Sequence, residues 1–198
     1  MRRLTSIVVL LVLATGAVAS PSAEILRRSP EFAINEPSGK TTLLSSFKGK
    51  VVVIEFLFLK SAHCLRVAQT MNKLQKELGP RGFQPIAIAF PAPGSDADGP
   101  SVANVVNYLR LTYPVGYTNH DNVDMYLGRG KNDVLNIPQV VIIDRAGMIR
   151  AQSGGRPGDP KLENEDSLRT LLGSLLSEKL PPVGPGKTSP SATRRSQR

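Results

Sequence analysis

One sulfhydryl sets the limits of what this chain can do chemically. Cys64 is the only cysteine among 198 residues, so no disulfide can close within the chain. With only two histidines beside it, a Cys/His structural zinc site has too few ligands, and no cofactor is expected. Cys64 begins a run in which Val67, Ala68, Met71, Leu74 and Leu78 recur at three- and four-residue spacing, which predicts an amphipathic helix. A thiol in the first turn of a helix feels two opposed effects. Backbone N–H groups and the helix dipole stabilise its thiolate, whereas burial on the apolar face penalises the charge and raises the pKa. The apolar-face position favours an inert or slow thiol. Ser61 and His63 lie three and one residues upstream. A serine hydroxyl stays neutral near pH 7 unless a base activates it.

Glu55 is the second residue with chemical potential. It interrupts the run Val51-Val52-Val53-Ile54-Glu55-Phe56-Leu57-Phe58-Leu59, which reads as a strand covered on both faces. A carboxylate there must be paired, hydrated or protonated, because an isolated buried charge is costly. Two readings follow. In one, Glu55 is a buried acid of raised pKa; in the other it sits at a strand end, hydrated or paired with Lys60.

The remaining pattern supplies the scaffold. Residues 31–47 predict a hairpin around Pro37-Ser38-Gly39-Lys40. Gly79-Pro80 ends the first helix, and residues 83–90 form a second buried strand. A loop over 91–100 precedes a helix with Ser101 as N-cap, running to about Thr112. A short strand over 115–118 follows. His120 is expected in a loop, with Asp121-Asn122 as a cap and not a ligand set. Residues 140–144 and 148–152 flank the tight turn Arg145-Ala146-Gly147 as an antiparallel hairpin. Leu168, Leu171, Leu172, Leu175 and Leu176 line a last helix ending near Lys179. Strands alternating with helices argue an α/β fold with a mixed sheet.

The formal charge of +9 is mostly peripheral. Residues 20–180 hold 19 Lys+Arg against 16 Asp+Glu, with no basic stripe interleaved with aromatics, so nucleic acid is not an expected partner. Met1-Arg2-Arg3, the apolar run 7–19 and Ala17-Val18-Ala19 predict a secretory signal over 1–19, cleaved after Ala19; the alternative is an uncleaved anchor. No cysteine lies near that point for a lipoprotein, and no stable membrane span remains after cleavage. The expected organisation is a linker over 20–30, one domain over 31–180 and a disordered basic tail over 181–198. The mature protein is expected to be secreted or periplasmic. Its oligomeric state is not written in the pattern.

The order of these elements resembles the thioredoxin fold, with an N-terminal β-hairpin extension. The resemblance is strongest to extracytoplasmic thiol–disulfide proteins of the ResA/TlpA type, within the redoxin (AhpC/TSA-like) group. It is carried by Phe47-Lys48-Gly49-Lys50-Val51-Val52-Val53, by Glu55-Phe56 leading to Ser61-Ala62-His63-Cys64, by Ile137-Pro138, and by Val141-Ile142-Ile143-Asp144-Arg145-Ala146-Gly147. It spans roughly residues 31–178 and implies protein or peptide thiols and disulfides as partners. It also implies that Cys64 holds the place of the resolving thiol, that Glu55 relays its proton, and that Pro138 is the cis-proline facing the site. Ser61, His63 and Pro138 would line the groove for a substrate peptide. The departure is at Ser61, where the family keeps its attacking cysteine. Exchange begins with a thiolate, so the resemblance implies weak or lost redox activity. Two alternatives stand beside it. One is a non-catalytic module that binds peptides or proteins. The other is a one-Cys peroxidase reading of Ser61-x-x-Cys64, in which Leu57 and the Ile137-Pro138 segment replace the proline and arginine such enzymes use.

Overall fold

The computed structural model describes residues 27–130, 133–154 and 161–178. The expected leader and basic tail lie outside the described residues, as does the linker up to residue 26. Four residues of that linker, 27–30, are described, and they correct its boundary. Arg27–Arg28 form a first strand, β1, because their backbone finds an open edge beside residues 148–149.

Among the described residues, eight strands make one mixed sheet in the order β1-β8-β7-β4-β5-β6-β2-β3. The hairpin comprises β2 (Ala33–Asn35) and β3 (Thr41–Leu43), joined through Gly39 at φ +84° and followed by a 3-10 turn over Leu44–Phe47. At the centre, β4 (Val51–Leu57) runs parallel to β5 (Phe83–Ala89) and antiparallel to β7 (Gln139–Ile143). β6 (Val115–Tyr117) extends the parallel part, and β8 (Met148–Gln152) closes the second hairpin. That hairpin turns on Gly147 at φ +81°, while the Asp144 carboxylate accepts the amides of Ala146 and Met148, both at 2.9 Å.

Every residue of β4 and β5 is buried, as their continuous apolar sequence requires. Pro85 is tolerated inside β5 because its donor-less nitrogen points to the β6 side, and β6 begins only opposite Ala87. One face of the sheet is covered by α1 (Ala62–Leu78), α2 (Gly99–Leu109) and α4 (Glu165–Ser177). Val51, Val53 and Leu57 of β4 point into that layer. Val52, Ile54 and Phe56 point to the other face, where Phe32, Ile34 and α3 (His120–Leu127) complete a second core.

Helix starts differ from the sequence reading in two places. α2 is capped by Asp98, whose carboxylate accepts the Ser101 amide at 2.8 Å, so Ser101 lies inside the first turn. The helix ends at Leu109, earlier than expected, because Arg110 turns left-handed at φ +51°. α3 is capped by Asn119, which accepts the Asn122 amide at 2.9 Å, so His120 opens the helix. In both cases an acceptor one to three residues earlier reaches the orphan N–H first.

Candidate functional site

β4 delivers the chain to the site. Glu55 shares the parity of Val53 and Leu57, so its side chain enters the layer under α1 and α4, between Ala87 of β5 and Val140 of β7 in register. It is fully buried, and neither carboxylate oxygen has a hydrogen-bond partner. This position overturns the strand-end reading, in which water or Lys60 would neutralise the charge. With nothing to compensate it, burial pushes the Glu55 carboxyl well above its ordinary value of 4.5, and the neutral acid is the favoured form.

Three residues past the strand, the chain turns into α1. Ser61 is the N-cap: its backbone is extended and its hydroxyl oxygen accepts the Cys64 amide at 3.4 Å. This is the ordinary use of serine at a helix start, and it fixes the hydroxyl over the first turn. Cys64 then falls on the inward face at 0% exposure, within the core that also holds Val67, Met71 and Leu74. Burial raises its thiol pKa above 9.0, and the Glu55 carboxyl beneath adds to that rise if it is charged. The Ser61 hydroxyl and a Phe58 backbone hydrogen bond act in the opposite direction. Desolvation outweighs the helix-terminus effect, so the thiol form prevails at neutral pH.

His63 is exposed on the outer side of the first turn. Among the described residues it makes no hydrogen bond with Ser61, whose hydroxyl accepts the Cys64 amide instead. Pro138 is buried just before β7, and the Ile137–Pro138 peptide bond is cis. Because β7 is antiparallel to β4, with Gln139 opposite Phe56, Pro138 lies at the same end of the sheet as Ser61 and Cys64. The fold therefore gathers Glu55, Ser61, His63, Cys64 and Pro138 at one end, four of them buried or capping and His63 facing solvent.

Several neighbours escaped the sequence reading. Tyr113 is buried beside Glu55, and its hydroxyl donates to the Ala68 carbonyl of α1 at 3.0 Å; burial, followed by the Glu55 charge, holds its pKa well above 10.0. Asn72, on the same helix, donates to the Arg110 carbonyl at 3.1 Å and accepts from the Thr112 amide and hydroxyl, both at 2.9 Å. These two side chains fasten α1 to the loop before β6. On the opposite face, His120 stands edge-on to Phe90 at 4.9 Å and to Phe58 at 6.4 Å, an aromatic shelf beside the site. The one sequence signal for Asn72 was a polar residue at a helix position next to Met71 on the apolar stripe. His120 gave none, since its contacts are non-local.

Among the described residues no group of His, Cys, Asp and Glu side chains could hold a metal ion, and no helix is long and apolar enough to cross a membrane. What the fold and site define is a thioredoxin-like protein with a serine capping the helix whose first turn carries one buried cysteine. The chain belongs to the AhpC/TSA family, whose model matches residues 25–152. It is 26% identical over 173 residues to the thiol-disulfide oxidoreductase ResA of Bacillus cereus, covering 81% of this chain and 93% of that protein. The ResA of Bacillus thuringiensis is 27% identical over 142 residues, covering 71% and 75%. Among solved structures, a thiol:disulfide interchange protein DsbE from Chlorobium tepidum superposes with a TM-score of 0.60 at 23% identity, covering 75% of this chain and 95% of that one. A thioredoxin family protein from the same organism gives 0.61 at 22% identity, covering 81% and 99%. These superpositions establish the thioredoxin-like fold.

Proposed function

We propose that this protein is an exported member of the thiol–disulfide oxidoreductase lineage whose redox turnover is weak or lost. The observation that carries the reading is the Ser61–Cys64 pair. An oxygen caps the helix where an attacking thiolate is needed, and the remaining sulfur is fully buried with a raised pKa. A dithiol/disulfide cycle needs two sulfurs, one of them an accessible thiolate. Cys64 supplies neither the exposure nor the low pKa, and among the described residues the Ser61 hydroxyl bonds no base that would activate it. In this reading Cys64 stands in the resolving position. Glu55, in its minor ionised form, is the base that would take its proton, and any chemistry is a slow attack of the Cys64 thiolate on a partner protein's disulfide, which forms a mixed disulfide and releases the partner's other sulfur as a thiol.

The burial of Cys64 favours a second reading, a binding module for protein or peptide clients. The groove would be formed by Ser61, His63 and the cis Ile137–Pro138 segment, with no turnover required. A one-Cys peroxidase is less compatible, since peroxide must reach a thiolate and Cys64 is at 0% exposure. Export rests on the sequence of residues 1–19, and the named relatives are thiol-disulfide oxidoreductases of the ResA kind.

An insulin-reduction assay comparing the unaltered protein with Ser61→Cys tests this reading. The expected result is no turnover above background for the unaltered protein and clear turnover for the variant. Turnover by the unaltered protein comparable to that of the variant would overturn it.

A further inference from the structure

A cavity at the other end of the sheet takes no part in the chemistry above. It encloses about 260 Å3 between the segment leaving β1, the 3-10 turn after β3 and the β7–β8 turn. Its floor is apolar: Leu44 and Phe47 from the 3-10 turn, Val52 from β4 and Ile143 from β7. Val52 and Ile143 pair at one end of the β4–β7 ladder, whereas Phe56 and Gln139 pair at the end nearest Cys64. The cavity and the thiol are thus separated by the length of β4.

The charges around this cavity are unequally engaged. Its two carboxylates are satisfied internally. Glu31 Oε1 accepts the Phe32 and Ser45 amides at 3.0 and 3.1 Å. Asp144 accepts two turn amides and pairs with Arg150 at 3.2 Å. The cations are not consumed in this way. Arg28 and Lys48 are exposed, and among the described residues no carboxylate pairs with either. Lys50 Nζ donates to the neutral Gln84 Oε1 at 3.1 Å and stands 5.9 Å from the Phe47 ring centroid. The result is an apolar floor under a net positive rim, Arg28, Lys48 and Lys50 against Glu31, whose carboxylate keeps its charge.

We propose that this cavity binds a small amphiphilic carboxylate, its apolar body on the floor and its charge held by Lys48 and Arg28. The floor requires an apolar body, and the free cations require an anion. Glu31, also in the lining, favours a singly charged group over a dianion, which it would repel more strongly. The volume lies at the small end of ligand pockets and suits a chain of about eight carbons. A site of this kind is independent of the Cys64 chemistry.

Titration of the isotopically labelled protein with sodium octanoate, followed by NMR, tests the proposal, with 1-octanol and octylamine as neutral and cationic controls. The expected result is octanoate binding with Kd between about 10 μM and 1 mM, as suits a ligand of this size. Shifts should centre on Leu44, Val52 and Ile143, and the controls should bind at least about tenfold more weakly. Lys48→Glu and Arg28→Glu should each raise the octanoate Kd several-fold, roughly the loss of one partly exposed charge contact. No octanoate binding up to about 10 mM would overturn the proposal. So would equal binding of octanol, or shifts centred on the Cys64 end. The octanoate–octanol comparison on the unaltered protein stands even if a charge-reversal variant fails to fold.

Discussion

Replacing Glu55 with glutamine should change how stability depends on pH, and the size of the change follows from its surroundings. The side chain is fully buried and both oxygens lack partners, so the folded protein holds the carboxyl protonated well above 4.5. In the unfolded chain the same group ionises at its ordinary value. Below that value both states carry the proton, and Glu55 contributes no pH dependence. Above it the unfolded state releases a proton that the folded state retains, so stability falls as pH rises, by about 1.4 kcal/mol per unit until the folded carboxyl ionises. Glutamine keeps the shape and cannot ionise, so Glu55→Gln lacks this slope. Urea unfolding at fixed pH, read by far-UV circular dichroism, gives the difference in stability between the two proteins. That difference should grow steadily in favour of the variant as pH is raised from 5 to 7, at up to about 1.4 kcal/mol per unit. A gap that stays constant to within about 0.5 kcal/mol over this range would refute the reasoning, because it would mean the carboxylate is ionised and compensated in the folded state.

Three further outcomes are expected. Gly116→Ala places a Cβ 2.8 Å from Ile34 Cγ2 and 3.1 Å from the Asn35 carbonyl oxygen, where β6 and β2 meet backbone to backbone; it should cost about 1–3 kcal/mol in the urea unfolding free energy, and a neutral substitution would show that the hairpin is not seated on β6. Modification of Cys64 by a thiol reagent should be at least about 1,000-fold slower in the folded protein than in urea, because access requires opening of the α1 layer. Native labelling within tenfold of the unfolded rate would contradict the burial of the sulfur. Asn72→Ala removes three hydrogen bonds to the 110–112 loop and should lower stability by about 2–3 kcal/mol, a loss that Asn72→Asp, which keeps the two acceptor bonds, should only partly reproduce.

The division between what was legible in the sequence and what was not runs through particular residues. Long, strongly periodic segments announced themselves. The continuous apolar run of β4 required burial on both faces, the spacing from Cys64 to Leu78 required one inward helix face, and Asp144 to Gly147 carried its own turn chemistry. The helix starts of α2 and α3 were displaced by a few residues. In each of these stretches several side chains can accept an N–H, at Asp98 and Ser101 or at Asn119, Asp121 and Asn122, and only the backbone path decides which one is in reach. The linker boundary moved for a similar reason: Arg27-Arg28 has no strand-like composition, and it pairs only because the β8 edge is open beside it.

For the site, residue identities alone determined that no internal disulfide can form, because the chain has a single sulfhydryl. That is a fact of covalent chemistry and needs no coordinates, whereas the reading of Ser61 in the place of an attacking cysteine came from the resemblance. The state of Glu55 was beyond the sequence, which left a paired strand-end carboxylate and a buried acid as equals. The alternative was decided by the alignment of β5, β7 and α1 around it, because desolvation depends on every neighbour that excludes water and not on the strand that carries the group. The same holds for Cys64, where a helix terminus and an apolar environment pull in opposite directions and only the packed layer shows which is stronger. It holds as well for the cavity beneath Lys48, whose walls come from three separate segments of the chain, 28–31, 44–52 and 143–147.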